Sequence, residues 1–331
     1  MKRTARILAG IILALAVAMG GLVAYHWAPD RPVSALAARW APPPSQFVPI
    51  GGLQVHLRDE GPRDDPTPIV LLHGTSASLH TWDGWVAALL PRHRVVRLDL
   101  PGFGLTGPEP DDDYSMGRYV EFVTAALDTL GIEQCVIAGN SFGGWISWET
   151  ALGHPDRIKG LVLVDAAGYP LHSESVPIGF RLANVPVLNR VMQSVLPRGV
   201  VESSLRNTYG DPSRVTPELV DRYYEITLRE GNRRALTKRF AAGRGTTEPE
   251  RIRSLRGLLP AARGRARGTS RVRCPRCRDG SARHRTAGSA GQDPPRGSAS
   301  ATAATGCAPA PWCRARRRSA SSGPAGFLRA G

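Results

Sequence analysis

"CVIAGNSFGGW", Cys135 to Trp145, ends a β-branched apolar run in Gly-Asn-Ser-Phe-Gly-Gly, with one hydroxyl held between glycines. Gly139-Asn140-Ser141-Phe142-Gly143 fits the pattern G-x-S-x-G. A strand-like run precedes it (Cys135–Ala138) and a helix-compatible run follows it (Trp145–Leu152). A tight strand-to-helix turn of this kind forces its serine into a strained backbone conformation and leaves room nearby only for glycine. It also lifts Oγ clear of the sheet and sets it at a helix N-terminus, where the dipole favours developing negative charge. Ser141 is therefore the candidate nucleophile. An ordinary tight turn is the plainer alternative.

Outward from this turn the sequence alternates between strand and helix signals. "FVPIGGLQVHLRDEG" (47–61) has the form of a hairpin turning at Gly51-Gly52. "PIVLLHG" (68–74), "HRVVRLDLPG" (93–102), "QCVIAGNS" (134–141) and "IKGLVLVDAAG" (158–168) are continuous apolar runs, the kind that suits parallel strands buried on both faces. Between them, "SMGRYVEFVTAALDTLG" (115–131) carries one apolar stripe and a stop at Gly131. The alternation predicts a doubly wound, mostly parallel α/β sheet over 47–168. Residues 169–245 then turn helical, as in "VTPELVDRYYEITLRE" with Thr216 as N-cap and Pro217 in the first turn, and predict a helical cap. "TEPERIRSLR" leads back to the core over 246–256, toward a further strand.

Four motifs stand in one order and spacing: "LLHGTSASLHTW" (71–82), "LDLPGFGLTG" (98–107), "IAGNSFGGW" (137–145) and "HPDRIKGLVLVDAAG" (154–168). On these residues the chain from about 47 to 256 resembles the α/β-hydrolases that carry a cap domain. The form "GNSFGG" is similar to that of the meta-cleavage C–C hydrolases, although their glycine-rich loop after His-Gly is replaced here by Thr75-Ser76-Ala77. The resemblance implies an oxyanion hole built from the backbone N–H groups of Thr75 and Phe142. It implies no cofactor and no metal, and a small-molecule, ester-like substrate. Aspartate-nucleophile relatives are disfavoured, because Ser141 stands where they need a carboxylate. His73 and Asp99 are expected to be structural, the first bonded to backbone and the second capping a turn. His154 is expected to close the helix after Ser141. His80 and His172 are candidate substrate contacts.

A serine nucleophile needs a histidine base oriented by a carboxylate. In the family the acid follows strand seven and the histidine follows strand eight, and both positions fall beyond Arg256. There the text changes. From Gly257 onward the chain has no Ile, Lys or Glu, one Val and 15 Arg, in a mixture dominated by Arg, Ala, Gly, Ser and Pro. Such a segment has no periodic apolar face with which to offset its chain entropy. Residues 257–331 read as a disordered tail produced by a change of reading frame near codon 256, so that the last two strands of the sheet are missing. The sixth strand is then left as an exposed apolar edge, which invites aggregation. Asp165, ending that strand, is the candidate acid. His284, in "SARHRTAG", is the candidate base.

The formal charge of +15 belongs almost wholly to this tail, because the only acids after Gly257 are Asp279 and Asp293. The preceding body is close to neutral, so nucleic acid is not an expected partner. Four of the five cysteines also lie in the tail. The spacing of Cys274 and Cys277 with Cys307 and Cys313 is off the usual zinc pattern. At the other end "MKRTAR" precedes "ILAGIILALAVAMGGLVAYHW" (7–27), about the length that spans a bilayer, closed by Tyr25 and Trp27. Residues 1–27 read as an uncleaved anchor that leaves the body outside the cytoplasm, with a cleaved signal peptide as the alternative. Residues 28–46 read as a Pro/Ala linker. Two functions follow: an esterase-like serine hydrolase, with C–C bond hydrolysis as a variant, or a catalytically dead remnant lacking its triad.

Overall fold

Parallel strands need cover on both faces, and the apolar runs supply it here. The computed structural model describes residues 2–169, 193–243 and 249–258. Six strands form one mixed sheet in the order β1-β2-β4-β3-β5-β6: β1 Gln46–Ile50, β2 Leu53–Glu60, β3 Ile69–Leu72, β4 Val95–Leu98, β5 Cys135–Asn140 and β6 Ile158–Val164. β1 and β2 form the hairpin expected at Gly51-Gly52, both glycines having positive φ (58° and 84°). β2 runs antiparallel to β4, and the other pairs are parallel.

Successive residues of the central strands enter two separate cores. Val70, Leu72, Val96, Leu98 and Ile137 pack on one face with helices α4 (Met116–Thr129) and α5 (Phe142–Gly153). Leu71, Val95 and Ala138 pack on the other with Trp82 and with Val86 of α3 (Asp83–Leu89). Burying each such aliphatic side chain contributes about 1.5–3 kcal/mol. Helices on both faces make this the doubly wound sheet that the alternation predicts. α4 starts at Ser115, whose hydroxyl accepts the Arg118 N–H, and stops at Gly131 with φ 63°. Among the described residues β6 is the last strand of the sheet, and Val162 on it is 38% exposed.

Two ends of the chain are organised differently from expectation. Residues 28–46, expected as a linker, hold helix α2 (Val33–Trp40) and dock on the cap. Leu36 is fully buried, Trp40 Nε1 donates to Glu225 at 2.7 Å, and Arg233 meets Asp30 at 2.5 Å. Val33, Leu36 and Trp40 lie at helical spacing on one face, which gives the helix its reason to form. Residues 249–258, expected to lead into a strand, are described as helix throughout. This last helix sends Leu255 into the main core, and Arg251 pairs with Glu149 of α5 at 2.8 Å.

In the cap the described helices are α6 (Arg198–Thr208), α7 (Pro217–Thr227) and α8 (Asn232–Ala241), with α9 being Pro249–Leu258. Thr216 Oγ1 caps α7 by accepting the Leu219 N–H at 3.2 Å, and Pro217 stands in the first turn as expected. Before the body comes α1 (Lys2–Tyr25), long and apolar enough to cross a membrane, with a mean hydropathy of 2.6 over its most apolar window and its side chains unburied. His172, the first part of the cap, His284 and the cysteines of the tail lie outside the described residues.

Candidate functional site

Strand β5 ends at Asn140 and α5 begins at Phe142, so a single residue makes the turn between them. That residue is Ser141, at φ 50° and ψ −112°. A non-glycine residue at positive φ costs on the order of 1–3 kcal/mol, and it persists only where its surroundings over-determine it. Here three neighbours do so. The Ser141 N–H donates to Val164 O of β6 at 2.9 Å, and its carbonyl accepts from Trp145 N at 3.1 Å and Ala167 N at 2.8 Å. Close packing also explains the glycine at 143. A Cβ there would stand 2.4 Å from Leu72 O and 2.5 Å from His73 O.

The two residues whose N–H groups the resemblance implies as oxyanion donors are Phe142, directly after this turn, and Thr75, in the loop beside it. Phe142 is the first residue of α5, so its N–H is one of the four that a helix leaves without an internal acceptor. Its ring is buried and clamped by Tyr119 (centroids 4.9 Å apart), Trp145 and Phe103, with the Arg239 guanidinium 4.2 Å from its centroid. Thr75 follows Gly74. A Cβ on Gly74 would lie 3.2 Å from Ser141 Cβ, so the backbone leading into Thr75 runs directly beside the serine side chain. Thr75 is half-buried, as Ser141 is. An open, shallow cleft begins one residue further on, between Ser76, Phe103 and Gly104 of the core and Ile226, Asn232 and Leu236 of the cap.

The histidines and carboxylates divide by role. His73 is fully buried; its Nε2 accepts the Leu100 N–H at 3.0 Å, which leaves Nδ1 to donate to Gly74 O at 2.8 Å. Desolvation lowers its pKa, so the ring stays neutral and braces the loop before Thr75. His154 forms the C-cap of α5. Asp165 follows β6, exposed and at φ 46°. Among the described residues no histidine is hydrogen-bonded to Ser141 Oγ, and His284 lies outside them.

A buried His–Asp pair exists elsewhere, and the residue patterns did not announce it. Asp99 and His56 are both fully buried, with His56 Nδ1 2.7 Å from Asp99 Oδ2. The carboxylate also accepts the N–H groups of Leu79 (2.7 Å) and Leu105 (2.8 Å). Burial alone would raise its pKa, but His56, with His73 and the Leu105 N–H behind it, outweighs that and holds Asp99 at about 2. Its role as a cap of the following turn is therefore part of a larger network. The available signal was a histidine between Val55 and Leu57, at the position in β2 that faces away from the core those two enter.

Comparison with known proteins agrees with this architecture. Residues 67–251 match the family model described as the alpha/beta hydrolase fold. The chain is 30% identical over 197 residues to a 2-hydroxymuconate semialdehyde hydrolase of Pseudomonas sp. strain CF600, covering 58% of this chain and 64% of the relative. It is also 30% identical over 204 residues to a 2-hydroxy-6-oxo-2,4-heptadienoate hydrolase of Pseudomonas putida strain F1, covering 60% and 68%. Against the first of these, then, the chain spans less than two thirds of the relative's length. Among solved structures, a 2-hydroxy-6-oxo-6-phenylhexa-2,4-dienoate hydrolase from Rhodococcus sp. strain RHA1 superposes with a TM-score of 0.52 at 21% identity, covering 66% of this chain and 74% of that one, a likeness of fold. With the family model covering more than half of its length, the chain belongs to the α/β-hydrolase family.

Proposed function

We propose that this chain is a serine hydrolase in which Ser141 attacks a substrate carbonyl while the N–H groups of Phe142 and Thr75 receive the developing oxyanion. The observation that carries the reading is the strained Ser141 backbone at the start of α5, with the Gly74 backbone against its Cβ. Strain held at one residue marks a position where side-chain placement matters more than local stability. Donors fixed in advance toward an oxyanion contribute about 3 kcal/mol each to the transition state. A histidine must take the serine proton as the acyl bond forms and return it to the leaving group. Asp165 and His284 are the residues of this sequence proposed as acid and base.

The proposed substrate is a small carboxylic ester. A second reading, hydrolysis of a C–C bond beside a carbonyl, is favoured by the names of the two Pseudomonas relatives. The chemistry at Ser141 is shared, and the leaving group differs. α1 is proposed to anchor the chain in a membrane with Lys2, Arg3 and Arg6 on the cytoplasmic side and the body outside, or to be removed as a signal.

A fluorophosphonate probe on the full-length chain in detergent micelles tests the reading. Ser141 acquires the adduct, Ser141→Ala loses it, and the same substitution abolishes turnover of 4-nitrophenyl esters. Turnover of a 2-hydroxy-6-oxo-dienoate without ester turnover selects the second reading. An unlabelled Ser141 overturns both and favours a remnant of the fold whose Ser141 lacks its triad.

A further inference from the structure

Ser45, just before β1, has a histidine and a carboxylate that Ser141 lacks among the described residues. Its Oγ lies 3.0 Å from His56 Nε2 and 2.8 Å from Arg58 Nε, and His56 Nδ1 in turn lies 2.7 Å from Asp99 Oδ2. We propose that Ser45 is a second nucleophilic serine of this chain, activated by the buried His56–Asp99 pair and open to small electrophilic acyl donors such as activated esters and their fluorophosphonate analogues. The proposal stands on its own geometry and does not require Ser141 to be active.

The proton positions follow from the chemistry of each group. Ionised Asp99 only accepts, so His56 Nδ1 carries a proton, and the tautomer that serves as a base turns its Nε2 lone pair toward Ser45. Arg58 only donates, so it occupies a lone pair of Ser45 Oγ and leaves the Ser45 hydroxyl hydrogen directed at Nε2. This is the arrangement in which a histidine serves as general base to a hydroxyl. His56 is also held through its backbone: its N–H donates to Thr106 Oγ1 at 3.0 Å and its carbonyl accepts the Asp99 N–H at 2.9 Å. Gly104 lets the following loop lie on the carboxylate, since a Cβ there would stand 2.0 Å from Asp99 Cγ.

Exposure separates this reading from a purely structural network. His56 and Asp99 are shut off from water, whereas Ser45 is half-exposed and is followed by the exposed Gln46 and Phe47. A hydroxyl retained only to satisfy a buried imidazole has no need to stand at the surface. The Phe47 ring stacks on His56 at 5.2 Å, and the His56 side chain is shut off from water. In the reaction Ser45 Oγ forms a bond to the carbonyl carbon, or to phosphorus in the analogue, as its proton passes to His56 Nε2. The bond to the leaving group then breaks, and that group departs with the pair and the proton. Arg58 stands where it offsets negative charge on the attacking oxygen, and Asp99 remains ionised opposite the transient imidazolium.

Timed fluorophosphonate labelling of the full-length chain in micelles, with adducts mapped on tryptic peptides, tests this. Ser45 and Ser141 fall in different peptides. Ser45 is expected to label about 100-fold faster than the exposed Ser203, the usual scale of general-base assistance, in both the wild type and Ser141→Ala. Asp99→Asn should slow Ser45 labelling at least ~10-fold and leave Ser141 labelling unchanged. If that variant does not fold, the wild-type comparison with Ser203 decides alone. A Ser45 rate equal to that of Ser203 overturns the proposal whatever Ser141 does. Labelling at Ser45 with none at Ser141 overturns only the function proposed for Ser141.

Discussion

The turn at Ser141 and the strand junction at Ser45 are built in different ways. At Ser141 the backbone does the work: a residue at φ 50°, the start of α5 and a second loop pressed against the serine. At Ser45 side chains do the work: an imidazole at 3.0 Å, a carboxylate behind it and a guanidinium on the hydroxyl. Oxyanion donors come from main-chain geometry, which a strand-turn-helix motif specifies within a few residues. A base and its carboxylate come from side chains brought together from distant elements, here 43 residues apart. The first kind of site is therefore compact in sequence, and the second exists only after folding.

Breaking each backbone device separately tests whether the two regions are independent. The largest effect is expected from Gly143→Ala, whose new Cβ overlaps the Leu72 and His73 carbonyls. Neither carbonyl can turn aside without moving β3 or its exit loop, at a cost of about 3 kcal/mol. Ser141 labelling should fall about 100-fold or more as its donors are displaced, with Ser45 labelling retained. A smaller effect is expected from Gly104→Ala, where a left-handed φ of 58° and contact with Asp99 both oppose a side chain. Forcing Ala into that conformation costs about 1–2 kcal/mol before any contact is counted. Ser45 labelling should drop about 10-fold, while Ser141 labelling stays near wild type. Parallel losses at both serines in either variant would show one cooperative region rather than two.

The same contrast explains what was legible in the sequence. The six strands, the hairpin at Gly51-Gly52, the Ser141 turn and the Thr216 cap each depend on neighbours within a few residues, and each could be read. The bracing role of His73 was readable for the same reason: its Nδ1 partner is the next residue. α2 was hidden by its composition, because prolines on both sides of Val33–Trp40 suggested a linker while Leu36 and Trp40 already marked an apolar face. The His56–Asp99–Ser45 network left only one local signal, the histidine between Val55 and Leu57. Its three members come from β2, the end of β4 and the residue before β1, and only strand register brings them together. α9 illustrates the remaining limit: "PERIRSLR" has helical spacing, but the expected family order pointed to a strand.

The finest distinction between the two regions is their response to acid. His80 is 8% exposed, within 3.1 Å of Ser78 Oγ, with its ring facing those of Trp40 and His56. Burial lowers its pKa to about 4; Asp99 and Asp83 oppose the shift, and Arg222 and Arg58 add to it. Between pH 6.5 and 4 the unfolded chain therefore binds a proton at this position that the folded chain refuses. Stability must then decline as pH falls through that window, with the full contribution present above 6.5. Asp99 acts lower. Its depressed pKa adds stability that is present above its ordinary value of 3.8 and is lost as pH falls toward about 2. Thermal midpoints measured from pH 7 to 4.5 should fall for the wild type and fall less steeply for His80→Gln, which keeps a polar group beside Ser78 without a titrating one. Equal slopes for the two proteins would remove His80 as the source of acid sensitivity on the Ser45 side of the sheet, because Asp99 does not begin to protonate in that range.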